Sequence, residues 1–102
     1  MTKLAISISK EKIAIFCEKY HMLSLALFGS VLTSRFCNTS DVDMLVQFAK
    51  RHIPNLFELV DIEEELSAIV RRKVDLRTPN ELSPYFRDEV LSQARVIYIA
   101  KI

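Results

Sequence analysis

The chain predicts a mixed α/β (α+β) domain with one small sheet, in the element order αβαβαβαβ. Three observations lead there. Four short apolar runs, at 24–28, 41–48, 74–77 and 96–99, have the length and residue types of strands. Segments of helical period lie among them, the first and the last opened by a helix-start signal. Gly29-Ser30, Pro54-Asn55 and Pro79-Asn80 punctuate the boundaries.

Each element has its own justification. Ser9 is the N-cap of a first helix, with Glu11 in its first turn and the stripe Ile13, Phe16, Cys17, Tyr20 spaced i, i+3, i+4, i+7. Strand one follows at about 24–28, and a short helix or turn at about 30–35. Strand two spans 41–48, with Asp41 and Asp43 on one face and Val42 and Met44 on the other. A helix at about 56–71 has the apolar stripe Leu59, Ile62, Leu66, Ile69, Val70, set against Glu58, Asp61, Glu64 and Glu65, which read as a solvated face. Strand three is 74–77. Ser83 as N-cap and Pro84 at N1 open a last helix to about 95. Residues 96–99 are a terminal strand.

Length and composition bound the function. A chain of 102 residues suits one domain, 1–102, and half of it is hydrophobic. The net charge of +1 gives no overall case for nucleic-acid or membrane-surface binding. The local run Arg71-Arg72-Lys73 reads first as a helix C-terminal cap. Cys17 and Cys37 form neither a metal-ligand spacing nor a disulfide framework; Cys17 falls on the helical stripe and Cys37 in a loop. No apolar run reaches the roughly 18 residues of a membrane span. Met1-Thr2-Lys3-Leu4 lacks the features of a signal peptide, so the cytoplasm is the expected compartment.

The most informative stretch is Gly29-Ser30, ten residues, then Asp41-Val42-Asp43, each end at the margin of a strand. Gly29 is the single glycine of the chain, placed where a side chain is not tolerated. A glycine at a strand-to-helix turn lets backbone N–H groups approach phosphate oxygens, and the Ser30 hydroxyl can add a hydrogen bond. Carboxylates at i and i+2 on a strand project side by side, roughly 6.5–7 Å apart at Cα, and a divalent cation relieves their repulsion. Asp75, in Lys73-Val74-Asp75-Leu76, reaches the same cation if strand three lies beside strand two. Two ions could then clamp an in-line phosphoryl transfer. Arg77 shares the face of Asp75 and is a candidate for touching phosphate. His21 and His52 have no ligand-like spacing.

The segment Leu27-Phe28-Gly29-Ser30-Val31-Leu32…Ser40-Asp41-Val42-Asp43-Met44-Leu45-Val46 resembles the minimal nucleotidyltransferases of the DNA polymerase β superfamily. The similarity continues through Lys73-Val74-Asp75-Leu76-Arg77-Thr78-Pro79 and 82–91, and so covers nearly the full chain. The chain looks like the nucleotidyltransferase member of a prokaryotic toxin–antitoxin pair whose partner is a HEPN-domain ribonuclease. That resemblance implies a small mixed sheet with helices around it, and transfer of AMP from ATP to a tyrosine hydroxyl of the toxin. It implies that Asp41 and Asp43 bind two Mg²⁺ ions, that Asp75 completes one site and helps deprotonate the hydroxyl, and that Gly29 and Ser30 hold the triphosphate. Relatives commonly have a basic residue at the position of Thr33, Gly or an acid at Ser34, and Pro at Asn38. Here the nearest base is Arg35, which becomes the loop's candidate nucleotide contact.

Three functions remain in view. One is an enzyme that adenylylates a toxin. A second is an antitoxin of weak or no activity that neutralises by direct binding, in homo- or hetero-oligomeric assembly. Transfer to a small molecule or RNA is weaker, because such enzymes usually need a further domain for the acceptor. Phe36, Phe57 and Tyr85 are candidates for an exposed apolar interface.

Overall fold

The computed structural model describes residues 6–101, so the segment Met1-Thr2-Lys3-Leu4, considered above for a targeting signal, lies outside the described residues. The chain runs α1 (Lys10–Lys19), β1 (Met22–Phe28), β2 (Val42–Phe48), α2 (Leu56–Val70), β3 (Val74–Arg77), α3 (Pro84–Gln93) and β4 (Arg95–Ile99), with single 3-10 turns at Gly29–Leu32, Lys50–His52 and Pro79–Glu81. The sheet order is β3-β2-β1-β4. β1 pairs antiparallel with both β2 and β4, whereas β2 and β3 are parallel and joined through α2. β3 and β4 occupy opposite edges, so the α3 connection spans the width of the sheet.

The two faces of the sheet differ as strand alternation requires. Leu25 and Leu27 of β1, Val42, Met44 and Val46 of β2, and Val74 and Leu76 of β3 are buried with Ile13, Phe16 and Cys17 of α1 and Ile62, Leu66 and Val70 of α2. Cross-strand register places Phe28 beside Asp43 and Ala26 beside Leu45 on the other face. It extends that face through Asp75 beside Asp43 and Arg77 beside Leu45.

Local signals behave as their chemistry dictates. The Ser9 hydroxyl accepts the Lys12 N–H, and the Ser83 hydroxyl accepts that of Tyr85. α2 opens on a reciprocal box: the Glu58 N–H donates to Asn55 Oδ1 at 2.8 Å, and the Asn55 N–H to Glu58 Oε1 at 3.2 Å. The acids of α2 are therefore not simply solvated. Glu65 accepts from Lys19 Nζ and from the Tyr20 hydroxyl, tying α2 to the end of α1. Glu63 and Ser67 satisfy the outward N–H groups of Leu76 (2.8 Å) and Val74 (2.9 Å), which covers the exposed edge of β3.

Boundaries shift by one or two residues from expectation. β1 begins at Met22, because Met22 pairs with Phe48 across an irregularity at Leu23. β2 begins at Val42 and leaves Asp41 just outside the ladder. α3 stops at Gln93, where Ala94 turns extended, and β4 starts at Arg95. α2 ends on Arg71 in the left-handed region, φ 59°, a place usually held by glycine.

Candidate active site

The site begins where β1 ends. Gly29 has φ +75°, and the chain there enters one 3-10 turn. Thr33 closes that turn, both its N–H and its hydroxyl donating to the Ser30 carbonyl at 2.9 Å. A Cβ on Gly29 would overlap Oδ2 of Asp43. The backbone conformation thus favours glycine, and any side chain there would also push the Asp43 carboxylate from its place.

Asp43 and Asp75 are partners across the parallel β2–β3 pair, and both are half-buried. Arg77, two residues on, donates from Nη2 to Asp75 Oδ2 at 3.2 Å, as the shared strand face anticipates. The Asp43 carboxyl is held above the usual carboxylate range, chiefly by burial, with the charges of Asp75 and Asp41 acting in the same sense and Arg77 opposing. Asp41 is exposed at the entrance to β2. Two carboxylates are therefore juxtaposed, with a third close enough to influence one of them electrostatically.

This donor set suits Mg²⁺, which takes one or two carboxylates and fills its octahedron with waters and phosphate oxygens. Among the described residues, no three His, Cys, Asp or Glu side chains are gathered tightly enough to cage an ion unaided. Register brings Asp43 and Asp75 side by side, while Asp41 lies exposed one residue outside the ladder. Like charges in a partly desolvated site repel, and Arg77 offsets part of that repulsion by pairing with Asp75.

The loop between the glycine turn and β2 departs from expectation. Arg35 is exposed, and its backbone N–H donates to Thr33 Oγ1 at 3.2 Å; among the described residues no hydrogen bond or ion pair joins its guanidinium to the carboxylates. Phe36 is not an exposed interface residue, because the Arg72 guanidinium lies over its ring at 4.4 Å and the ring packs against the core. Phe57 and Tyr85 are exposed, at 85% and 92%. Cys37 is exposed, and hydroxyl hydrogen bonds from Ser40 and then Thr39 lower its thiol to about 7.

Sequence reasoning missed two arrangements. Arg72 does not cap α2 with its side chain; it reaches back to the loop, donating to the carbonyls of Cys37 (2.7 Å) and Ser40 (2.6 Å). The available signal was its place just before β3, where parallel pairing brings 72–73 alongside 40–42. His21 and His52 stack at 3.6 Å and 18°, brought together when the Ala49 N–H donates to the His21 carbonyl. Neither sequence spacing nor helical period could signal that contact.

The family model for the polymerase beta nucleotidyltransferases matches residues 11–101. The protein adenylyltransferase MntA of Thermococcus cleftensis is 32% identical over 82 residues, which are 80% of this chain and 79% of that one. A crystal structure of a toxin–antitoxin with AMP-PNP superposes with a TM-score of 0.72 at 19% identity, covering 92% of this chain and 76% of that one. A structure of a tri-AMPylated Shewanella oneidensis HEPN toxin in complex with its MNT antitoxin gives 0.63 at 19% identity, covering 89% and 70%. These two likenesses show a shared fold. The sequence match itself extends over nearly the whole chain, so the chain belongs to the polymerase beta nucleotidyltransferase family.

Proposed function

We propose that this chain is a Mg²⁺-dependent protein adenylyltransferase that transfers AMP from ATP to a tyrosine hydroxyl of a HEPN-domain toxin and so serves as its antitoxin. The observation that carries this reading is the register pairing of Asp43 with Asp75 directly below the Gly29 turn. Support also comes from the name of the relative and from the toxin–antitoxin complexes that share the fold. The reading places the chain in the prokaryotic cytoplasm; among the described residues no helix is long and apolar enough to cross a membrane.

In this proposal Asp41, Asp43 and Asp75 hold two Mg²⁺ ions, which when bound stabilise charge on the phosphate oxygens. The Gly29 turn lets backbone approach the triphosphate, and the Ser30 hydroxyl donates to a phosphate oxygen. Arg77 leaves Asp75 for a phosphate oxygen, and Arg35 is a second cation for the same charge. Asp75 then accepts the proton of the incoming tyrosine hydroxyl. The tyrosine oxygen bonds to the α-phosphorus, the bond to the bridging oxygen breaks, and pyrophosphate departs with that electron pair.

The test is incubation of the chain with α-labelled ATP, Mg²⁺ and the toxin encoded beside it. Label should appear on a toxin tyrosine; its absence under every condition sinks the reading.

A second reading is neutralisation by direct binding. The loop favours it, because Thr33 replaces a base and spends its hydroxyl on Ser30, while the Arg35 side chain is not tied to the site. Toxin protection that survives in an Asp41→Asn/Asp43→Asn variant selects occlusion over catalysis.

A further inference from the structure

We propose that Arg72 is a positioning residue for Asp41: its guanidinium clamps the loop that delivers this carboxylate to the site. The proposal rests on the reading of Asp41 as a cation ligand.

Asp41 precedes the β2 ladder by one residue, so the sheet holds it from one side only. On that side the Val42 N–H donates to the Lys73 carbonyl at 2.8 Å. On the other side, residues 36–40 belong to no helix or strand. Arg72 Nη2 donates to the Cys37 and Ser40 carbonyls there, and the guanidinium plane rests on Phe36. Consecutive residues 72 and 73 thus grip residues 40 and 42, one on each side of Asp41.

The loop is internally tight as well. The Cys37 N–H donates to the Ser40 hydroxyl and the Ser40 N–H to the Cys37 carbonyl, both at 3.0 Å. Those bonds close a turn but do not attach it to anything. Arg72 supplies that attachment, and it leaves two carbonyls aimed at one cation. Helix capping does not account for the side chain, because the Ser67 carbonyl is met by the backbone N–H groups of Arg71 and Arg72. Both bonds leave the same nitrogen, so a lysine ammonium could replace them in part, but it lacks the flat group that lies over the Phe36 ring. Partners that orient metal ligands typically contribute about 10–100-fold to metal affinity or activity.

The test compares the full chain with Arg72→Met and Arg72→Lys variants. Amide hydrogen exchange without metal should speed up about tenfold or more across residues 37–42 in Arg72→Met, given the net worth of two charge-assisted hydrogen bonds. Exchange at Leu25, Leu27, Met44 and Val46 should not change. Calorimetric titration of Mg²⁺ in the presence of a non-hydrolysable ATP analogue should show affinity about 10–100-fold weaker. Arg72→Lys should recover part of both. Unchanged loop exchange overturns the clamp, and unchanged Mg²⁺ affinity overturns its role in positioning Asp41. If Arg72→Met does not fold, Phe36→Leu removes only the ring beneath the guanidinium; the same two readouts should move in the same direction, and their constancy is equally damaging. Wild-type protein that binds Mg²⁺ and analogue but transfers no label sinks the transferase reading alone.

Discussion

Gly29 and Asp43 interlock: the turn that ends β1 passes so close to the carboxylate that a Cβ at position 29 would occupy the place of Oδ2. The relationship follows from register, since Phe28 and Asp43 are cross-strand partners and Gly29 is the next residue. It couples the turn assigned to phosphate with the acid assigned to metal.

Gly29→Ala should therefore damage both fold and site. A left-handed conformation costs a Cβ-bearing residue about 1–2 kcal/mol. In a domain of this size that lowers Tm by several degrees, at about 4–8 °C per kcal/mol. Displacement of Asp43 should reduce label transfer about tenfold or more beyond the unfolded fraction, as happens when reacting groups shift by an ångström. Thermal melts beside transfer assays decide it, and normal transfer by a folded variant refutes the interlock.

Arg71→Gly should act in the opposite direction. Arg71 ends α2 at φ 59°, and among the described residues its guanidinium makes no hydrogen bond or ion pair with the site. Relief of about 1–2 kcal/mol of left-handed strain, less the roughly 0.5–1 kcal/mol of added chain entropy, leaves a gain of about 0.5–1 kcal/mol. Urea melts measure this, and a lower midpoint contradicts it.

Asp43→Asn should stabilise the metal-free protein while lowering transfer at least about a hundredfold, given the several kcal/mol that a catalytic cation supplies. The sign follows from the raised Asp43 carboxyl. The folded state holds this proton to higher pH than the unfolded chain does. Stability is therefore fully present below the usual carboxylate value, and part of it is lost as pH rises through the raised folded value. Mg²⁺ should reverse the loss. Melting curves from pH 3 to 7 with chelator or with Mg²⁺ test this; identical pH profiles for wild type and variant would sink it.

The two thiols should separate cleanly. Cys37 is lowered to about 7 by its hydroxyl neighbours, whereas burial, then Glu18, pushes Cys17 up to about 12. Native protein at neutral pH should take one equivalent of an alkylating reagent, at Cys37, with its rate half-maximal near pH 7. Peptide mapping that finds Cys17 labelled first in folded protein contradicts the assignment.

Much of this molecule was legible without coordinates. The stripes of α1 and α2, the Pro84 start of α3 and the alternation of β2 are local signals, and each corresponds to an observed element. A lone glycine, followed by Ser30 and ten residues before Asp41-Val42-Asp43, pointed to the site for the same reason, since backbone freedom and paired charge are properties of residue type. What could not be read were contacts between distant segments. Arg72 looked like a helix cap and became a loop clamp, and Phe36 looked exposed until that guanidinium covered it. Glu65 read as part of a solvated face until the end of α1 brought Lys19 and Tyr20 to it.

By itself the order of amino acids determined which segments are helix or strand, where the chain must turn, and which acids are candidates for the chemistry. Tertiary structure alone decided that β3 lies parallel to β2 with Asp75 beside Asp43, that Asp41 stands outside the ladder, and that Arg72 reaches back across more than thirty residues to hold the approach to it. The division has a physical cause. Helical and strand periods are set within a few neighbouring residues, whereas register and ion pairing are set by which faces bury together, and that is settled only when the whole sheet closes on its core.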